Sequence, residues 1–106
     1  MRPKELEKMS YKILFHPKAA DELHKLEGSV KRLVLKQIAK LSRSPQLGEE
    51  LGNKNGFNLA GCRKMYVDRK RVRIVYRVRH ETVEVFIIAI GKRGDMEVYG
   101  DAAGRV

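Results

Sequence analysis

The sequence predicts an α+β domain with element order β-α-α-β-β-β, an antiparallel-rich sheet packed against an N-terminal helical hairpin. Three observations predict it. The chain has 106 residues, a length that supports one modest core. Apolar residues follow helical spacing only between residues 17 and 41, and beyond residue 63 the period switches to two. The connections between the late apolar runs are short, which implies antiparallel neighbours. Residues 1–9 are polar and read as a mobile extension, leaving 10–106 as a single domain.

The run from Tyr11 to Phe15 has β-branched and aromatic character and reads as the first strand, with Ile13 and Phe15 on one face and Leu14 on the other. Pro17 then fits the first position of a helix, where its missing N–H costs nothing. Ala19, Ala20, Leu23 and Leu26 give that helix its apolar face, and Gly28 closes it. Ser29 is placed to cap a second helix with an apolar stripe of Val30, Leu33, Val34, Ile38 and Leu41, its remainder carrying Lys31, Arg32, Lys36 and Lys40.

Residues 42–62 break the periodicity with Pro45 and glycines at 48, 52, 56 and 61, so they read as a long loop with an Asn55-Gly56 turn signal. Strands follow over 63–68, 71–80 and 82–90. The last is apolar on both faces, Val83, Val85, Ile87 and Ala89 against Phe86, Ile88 and Ile90, which suits a central position. A final helix capped by Asp95 is weakened by Gly100 and Gly104. One sheet and one helical hairpin make two layers.

Lys and Arg number 23 against 13 Asp and Glu, a net charge of +10, while 42% of residues are hydrophobic. That balance describes a folded basic domain whose partner is a polyanion, nucleic acid before an acidic protein or an anionic membrane. The apolar stretch from Val83 to Ile90 is too short to span a bilayer, and the polar N-terminus has no apolar signal region, so a cytoplasmic protein without membrane attachment is expected. The lone Cys62 forms no internal disulfide, and His16, His24 and His80 are not spaced as a metal set, so neither a metal nor another cofactor is expected.

The segment 71–79, RVRIVYRVR, sends Val72, Ile74, Tyr76 and Val78 to one face and Arg71, Arg73, Arg77 and Arg79 to the other. Arginine offers a planar charged fork matched to phosphate oxygens. The plainer reading is a solvated face with ion pairs to Glu81 and Glu84. Arg73, near the middle of the strand, is singled out. With Arg63 and Lys64 before it and Lys92 and Arg93 after it, a phosphate-binding face forms, and Tyr66 or Tyr99 offers a ring to a base. A nuclease of this composition is credible on RNA, where the ribose 2′-OH is itself the nucleophile.

The strings CRKMYVDRKRVRIVYRV and VEVFIIAIGKRGDMEVY resemble the RelE branch of the RelE/ParE superfamily of bacterial toxin–antitoxin modules, over roughly residues 10–105. The resemblance implies a microbial-ribonuclease-like α+β fold and a ribosome-dependent endoribonuclease that cleaves messenger RNA in the ribosomal A site, leaving a 2′,3′-cyclic phosphate. It implies contact with ribosomal RNA and an acidic antitoxin that covers the basic face. Carried over by position, Lys64 assists proton transfer, Arg73 binds the scissile phosphate, Arg93 is the general acid and Tyr99 stacks on the nucleotide. Arg63, Tyr66, Arg71, Arg77 and Lys92 are expected to bind substrate. Tyr66 stands where relatives carry a lysine proposed as general base. Lys64 is expected to replace it if Arg73 and Arg93 depress its pKa, with a tyrosinate at Tyr66 as the lesser alternative. A ParE-like inhibitor of DNA gyrase and a non-catalytic RNA- or ribosome-binding module are the competing readings.

Overall fold

The computed structural model describes residues 10–54, 56–92 and 97–106. The expected N-terminal extension, Asn55, Arg93 and Asp95 lie outside them. The chain forms strand β1 (Lys12–Phe15), helix α1 (Pro17–His24), helix α2 (Gly28–Arg43), a short 3-10 turn (Pro45–Leu47), strands β2 (Glu49–Lys54), β3 (Phe57–Val67), β4 (Val72–Arg79) and β5 (Glu84–Lys92), and helix α3 (Glu97–Arg105). The five strands are ordered β1-β5-β4-β3-β2. β1 runs parallel to β5, and every other pair is antiparallel.

The α+β class and the inner position of β5 agree with the sequence, and two expectations are corrected. Residues 42–62 are not a loop: β2 and the first half of β3 form a hairpin there, with Gly56 at its turn in a left-handed conformation, φ 81°. The run EELGNK of β2 has only one large apolar residue, so no alternation marked it. The fold also has three layers, because α3 covers the face of the sheet opposite α1 and α2.

The two cores follow from strand alternation. On one side Ala19, Val34, Ile38 and Leu41 pack on Val72, Ile74, Tyr76, Val85, Ile87 and Ile90. On the other, Val98, Tyr99 and Ala102 pack on Leu59, Cys62, Val75, Ile88 and Ala89. Ile88 and Ala89 are sequence neighbours on the same side because the β4–β5 register slips there, Val75 pairing with Ala89 and Tyr76 with Ile87. This bulge returns Ile90, not Ala89, to the α1–α2 side, reversing the simple alternation.

Local signals explain the helix boundaries. The His16 side chain caps α1, its Nδ1 accepting from Lys18 N at 3.1 Å, with Pro17 at the first position. The expected Ser29 cap of α2 is replaced by an earlier start: Glu27 is the capping residue, and Ser29 Oγ donates to its carboxylate at 3.0 Å. α3 forms despite its glycines because packing outweighs propensity. Gly100 lies so close to Phe57 that a Cβ there would stand 3.2 Å from the ring.

Two polar contacts fix the frame. The buried Tyr76 hydroxyl accepts from Gly48 N at 2.8 Å and donates to Pro45 O at 2.8 Å, tying the α2–β2 connection to β4. β1 ends at Phe15, and beyond it the edge of β5 is closed by an ion pair. Glu22 of α1 accepts from Ile90 N at 3.1 Å, while Arg105 of α3 donates to Ile88 O at 3.0 Å. Arg105 and Glu22 bond each other in bidentate fashion at 2.8 and 3.0 Å. The pair replaces ladder hydrogen bonds and joins the helices of opposite layers.

Gly48→Ala would place a Cβ 2.5 Å from the Tyr76 hydroxyl and 2.6 Å from the Lys64 carbonyl oxygen. We expect a loss of about 2 kcal/mol in chemical denaturation. Arg105→Ala is expected to cost about 2 kcal/mol, a figure reduced from that of a fully buried pair because Glu22 is partly exposed. Amide hydrogen exchange should then accelerate in α3 more than in α2.

Candidate active site

Strand register assembles the site. Tyr66 of β3 lies directly opposite Arg73 of β4, and Lys64 opposite Val75, so Lys64, Tyr66 and Arg73 share the face covered by α3. On its other side Arg73 neighbours Gly91 of β5. A Cβ at Gly91 would meet the Val98 side chain at 3.1 Å, so the glycine lets α3 come close enough to seat Tyr99 beside Arg73.

The result is a guanidinium held among rings. Arg73 is only 6% exposed, the one buried charged residue among those described. Its Cζ lies 4.5 Å from the centre of the Tyr99 ring and 5.4 Å from that of Tyr66, within cation–π range. Its Nε and Nη1, and the buried Tyr99 hydroxyl, have no hydrogen-bond partner among the described residues. A buried cation with unused donors is costly in the folded protein and already positioned for an anion.

Beside it, Lys64 Nζ donates to the Tyr66 hydroxyl at 3.1 Å and lies 3.7 Å from the carboxylate of the exposed Glu49. The hydrogen bond to Tyr66 raises the Lys64 pKa, with further support from the charges of Tyr99, Tyr66 and Glu49 against the opposing effect of burial. Tyr66 shifts the other way. Its hydroxyl is lowered below the ordinary tyrosine range, first by the Lys64 hydrogen bond and then by hydrogen bonding and charge from Arg73. The expected depression of Lys64 is therefore reversed: the lysine is held as an ammonium, and the acidified group is the tyrosine.

The other sequence candidates divide. Arg63 points to the opposite face, where its guanidinium donates to Gly48 O at 2.7 Å and pairs with Glu50 at 3.2 Å, so it braces the α2–β2 connection and does not join the cluster. Arg77 shares the face of Arg73 but lies further along the strand and donates to Ala60 O at 3.3 Å. Arg79 takes the plainer reading, 3.8 Å from Glu84 and over the Phe86 ring. Arg71 precedes β4, and with Lys92 it lines a cleft of about 650 Å3 bounded by Lys25 and Val30 on the α1–α2 side. Arg93 lies outside the described residues. Tyr99 is 1% exposed, so its ring supports Arg73 from within and offers no stacking surface in this conformation.

The sequence places the short connection between β3 and β4 at Asp68, Arg69 and Lys70 but gives no sign of its conformation. Asp68, Arg69 and Lys70 all have positive φ, at 55°, 55° and 67°, three consecutive left-handed residues without a glycine. The turn brings Lys70 Nζ to 6.0 Å from the Tyr66 ring. With Lys36 and Lys40 of α2 it forms a basic cleft of about 470 Å3 that Tyr66 also lines. No composition signal marks such a turn. Among the described residues no group of three or more His, Cys, Asp or Glu is gathered for a metal, and no helix is long and apolar enough to cross a membrane.

The chain is similar to known proteins in sequence and in fold. The family profile described as the ParE toxin of a type II toxin–antitoxin system matches residues 13–97. The chain is 33% identical over 98 residues to the mRNA interferase toxin RelE of Escherichia coli K12, an alignment spanning 92% of this chain and 99% of that one. In structure it is similar to free E. coli toxin RelE carrying two arginine-to-alanine substitutions, at TM-score 0.74 and 32% identity, covering 92% of this chain and 99% of that one. The intact E. coli RelBE toxin–antitoxin complex matches at TM-score 0.63 and 30% identity, covering 77% of this chain and 95% of the matched one. Fold and profile thus define a toxin of the type II toxin–antitoxin class. Within that class the chain belongs to the RelE/ParE family, with RelE among its relatives.

Arg73→Met would fill the same space without a buried charge. Its unfolding free energy should stay within about 1 kcal/mol of wild type or rise above it, since replacing an unpaired buried ion by an apolar chain is often neutral or stabilising. A large loss in denaturant titration would make Arg73 a structural residue.

Proposed function

We propose that this chain is the toxin of a type II module, a ribosome-dependent endoribonuclease that cleaves messenger RNA by attack of a ribose 2′-OH on the adjacent phosphate. The observation that carries the reading is Arg73, a buried guanidinium whose Nε and Nη1 are unpartnered among the described residues, with Lys64 on the same sheet face. An RNA phosphate supplies acceptors for those donors. As negative charge grows on the pentacoordinate phosphorus, Lys64 and Arg73 neutralise it, and the substrate's own hydroxyl removes the need for a metal-activated water. Phosphate reaches the buried donors when Tyr99 or Tyr66 yields, and α3 has weak intrinsic helix propensity at Gly100 and Gly104. Arg93 as general acid is carried from the family resemblance.

The basic clefts containing Lys36, Lys40, Arg69, Lys70, Arg71 and Lys92 suit the phosphate backbone of ribosomal RNA beside the A site. An acidic antitoxin is the expected second partner, supported by the +10 charge and by similarity to the toxin of the RelBE complex. A cytoplasmic location is part of the same proposal, since that is where both proposed partners would be met.

The matching profile carries the ParE description, so gyrase inhibition is the reading to be tested against cleavage. The experiment maps the ends of a defined message on programmed ribosomes. Wild type should cut within the A-site codon, and Arg73→Ala should lower the rate by about a hundredfold or more. An intact message with inhibited DNA supercoiling would assign the chain to gyrase, and ribosome binding without cut ends would leave a binding module.

A further inference from the structure

Tyr66 differs from the other three tyrosines of the chain. Tyr76 and Tyr99 are buried, and the Tyr11 hydroxyl bonds His80 Nδ1 at 2.9 Å. Tyr66 is only partly buried, lines the basic cleft beside α2, and accepts from Lys64 Nζ at 3.1 Å. It lies directly across the ladder from Arg73, the candidate phosphate ligand.

We propose that Tyr66 is the general base of the cleavage step, its phenolate oxygen, stabilised by Lys64 and Arg73, taking the proton of the attacking 2′-OH. The inference rests on the reading of the chain as an RNA-cleaving toxin and deepens it. Lys64 on β3, Arg73 on β4 and Lys70 in the turn lie 5.0, 5.4 and 6.0 Å from the centre of the Tyr66 ring, and the cleft that Tyr66 also lines carries Asp68 and Arg69 of the turn and Lys36 and Lys40 of α2. Glu49 on β2 reaches the site only through Lys64. Those cations favour the phenolate over the phenol, while the hydrogen bond to Tyr66 and the nearby Glu49 carboxylate keep Lys64 as the ammonium. Of the hydrogen-bonded pair, Tyr66 is therefore the member whose proton-accepting form is favoured by its neighbours, in line with the directions of the two pKa shifts.

The step balances without a co-reactant. The 2′-OH proton passes to the Tyr66 oxygen, and O2′ bonds to phosphorus. The P–O5′ bond breaks with its electron pair going to O5′, which takes a proton from the general acid, the role assigned to Arg93. The products are a 2′,3′-cyclic phosphate and a 5′-hydroxyl, and solvent resets both catalytic groups.

Single-turnover cleavage on programmed ribosomes, followed across pH with the full-length toxin, tests this. The wild-type rate should climb with pH and level off below the ordinary tyrosine pKa of about 10. Tyr66→Phe should lose about a hundredfold or more and with it that pH dependence. Tyr66→His should recover part of the rate, with its rise moved toward pH about 6.5. Lys64→Met should move the wild-type rise to higher pH. In a separate measurement without substrate, ultraviolet phenolate absorbance should reveal one tyrosine titrating below the ordinary tyrosine range, a step that Tyr66→Phe removes. Tyr66→Phe cleaving at the wild-type rate and with the wild-type pH profile would overturn the proposal while leaving the nuclease reading intact. A wild-type protein that never cuts would overturn both.

Discussion

Strand β5 is apolar on both faces, and such a strand is stable inside a sheet only when both faces are covered. Much of the architecture answers that constraint. The helical pair α1–α2 covers Val85, Ile87 and Ile90, and the far side, bearing Ile88 and Ala89, draws in α3. The bulge that places two successive apolar residues on the α3 side enlarges the patch that this short helix must cover. Where β1 stops and leaves the β5 edge open, the Glu22–Arg105 pair completes it and holds both layers at once.

The covering of β5 also shapes the site. Bringing α3 against Gly91 carries Tyr99 over Arg73, so the groups that bury the core also bury the guanidinium. Hydrophobic packing thereby holds the arginine dry and in place, which makes its unused N–H groups strong donors for an incoming anion. Lys64 and Tyr66 sit at the margin of this dry region, where the hydrogen bond between them outweighs the opposing effect of burial on each.

The strong periodic elements were legible in the sequence: β1, both N-terminal helices, β4 and β5 each have a one- or two-sided apolar pattern that physics reads directly. Strand β2 was not, because EELGNK holds its place through pairing to β3 and has little apolar pattern of its own. The position of α3 depended on which face of β5 was left uncovered, a tertiary fact absent from its glycine-containing sequence. At the site, alternation alone put Arg73, Arg77 and Arg79 on one face, but only register distinguishes the arginine opposite Tyr66 from those further along. Arg63 stands apart from the cluster for the complementary reason: it is adjacent to Lys64 in sequence and so lies on the opposite side of the sheet. The electrostatic order of Lys64 and Tyr66 depended on a 3.1 Å contact that spacing cannot supply.

The Tyr76 hydroxyl spans the connection between α2 and β2, bonding Pro45 and Gly48 together from below. Seen as a ruler, it fixes the number of residues allowed between those two points, since one more or one fewer would separate the donor and acceptor that a single oxygen must reach. The junction at Gly28, where a Cβ would meet nothing within 4 Å, has no such gauge. Length variation among chains of this fold should therefore gather at the α1–α2 corner and spare the α2–β2 corner, making insertion history a record of where side chains measure the backbone.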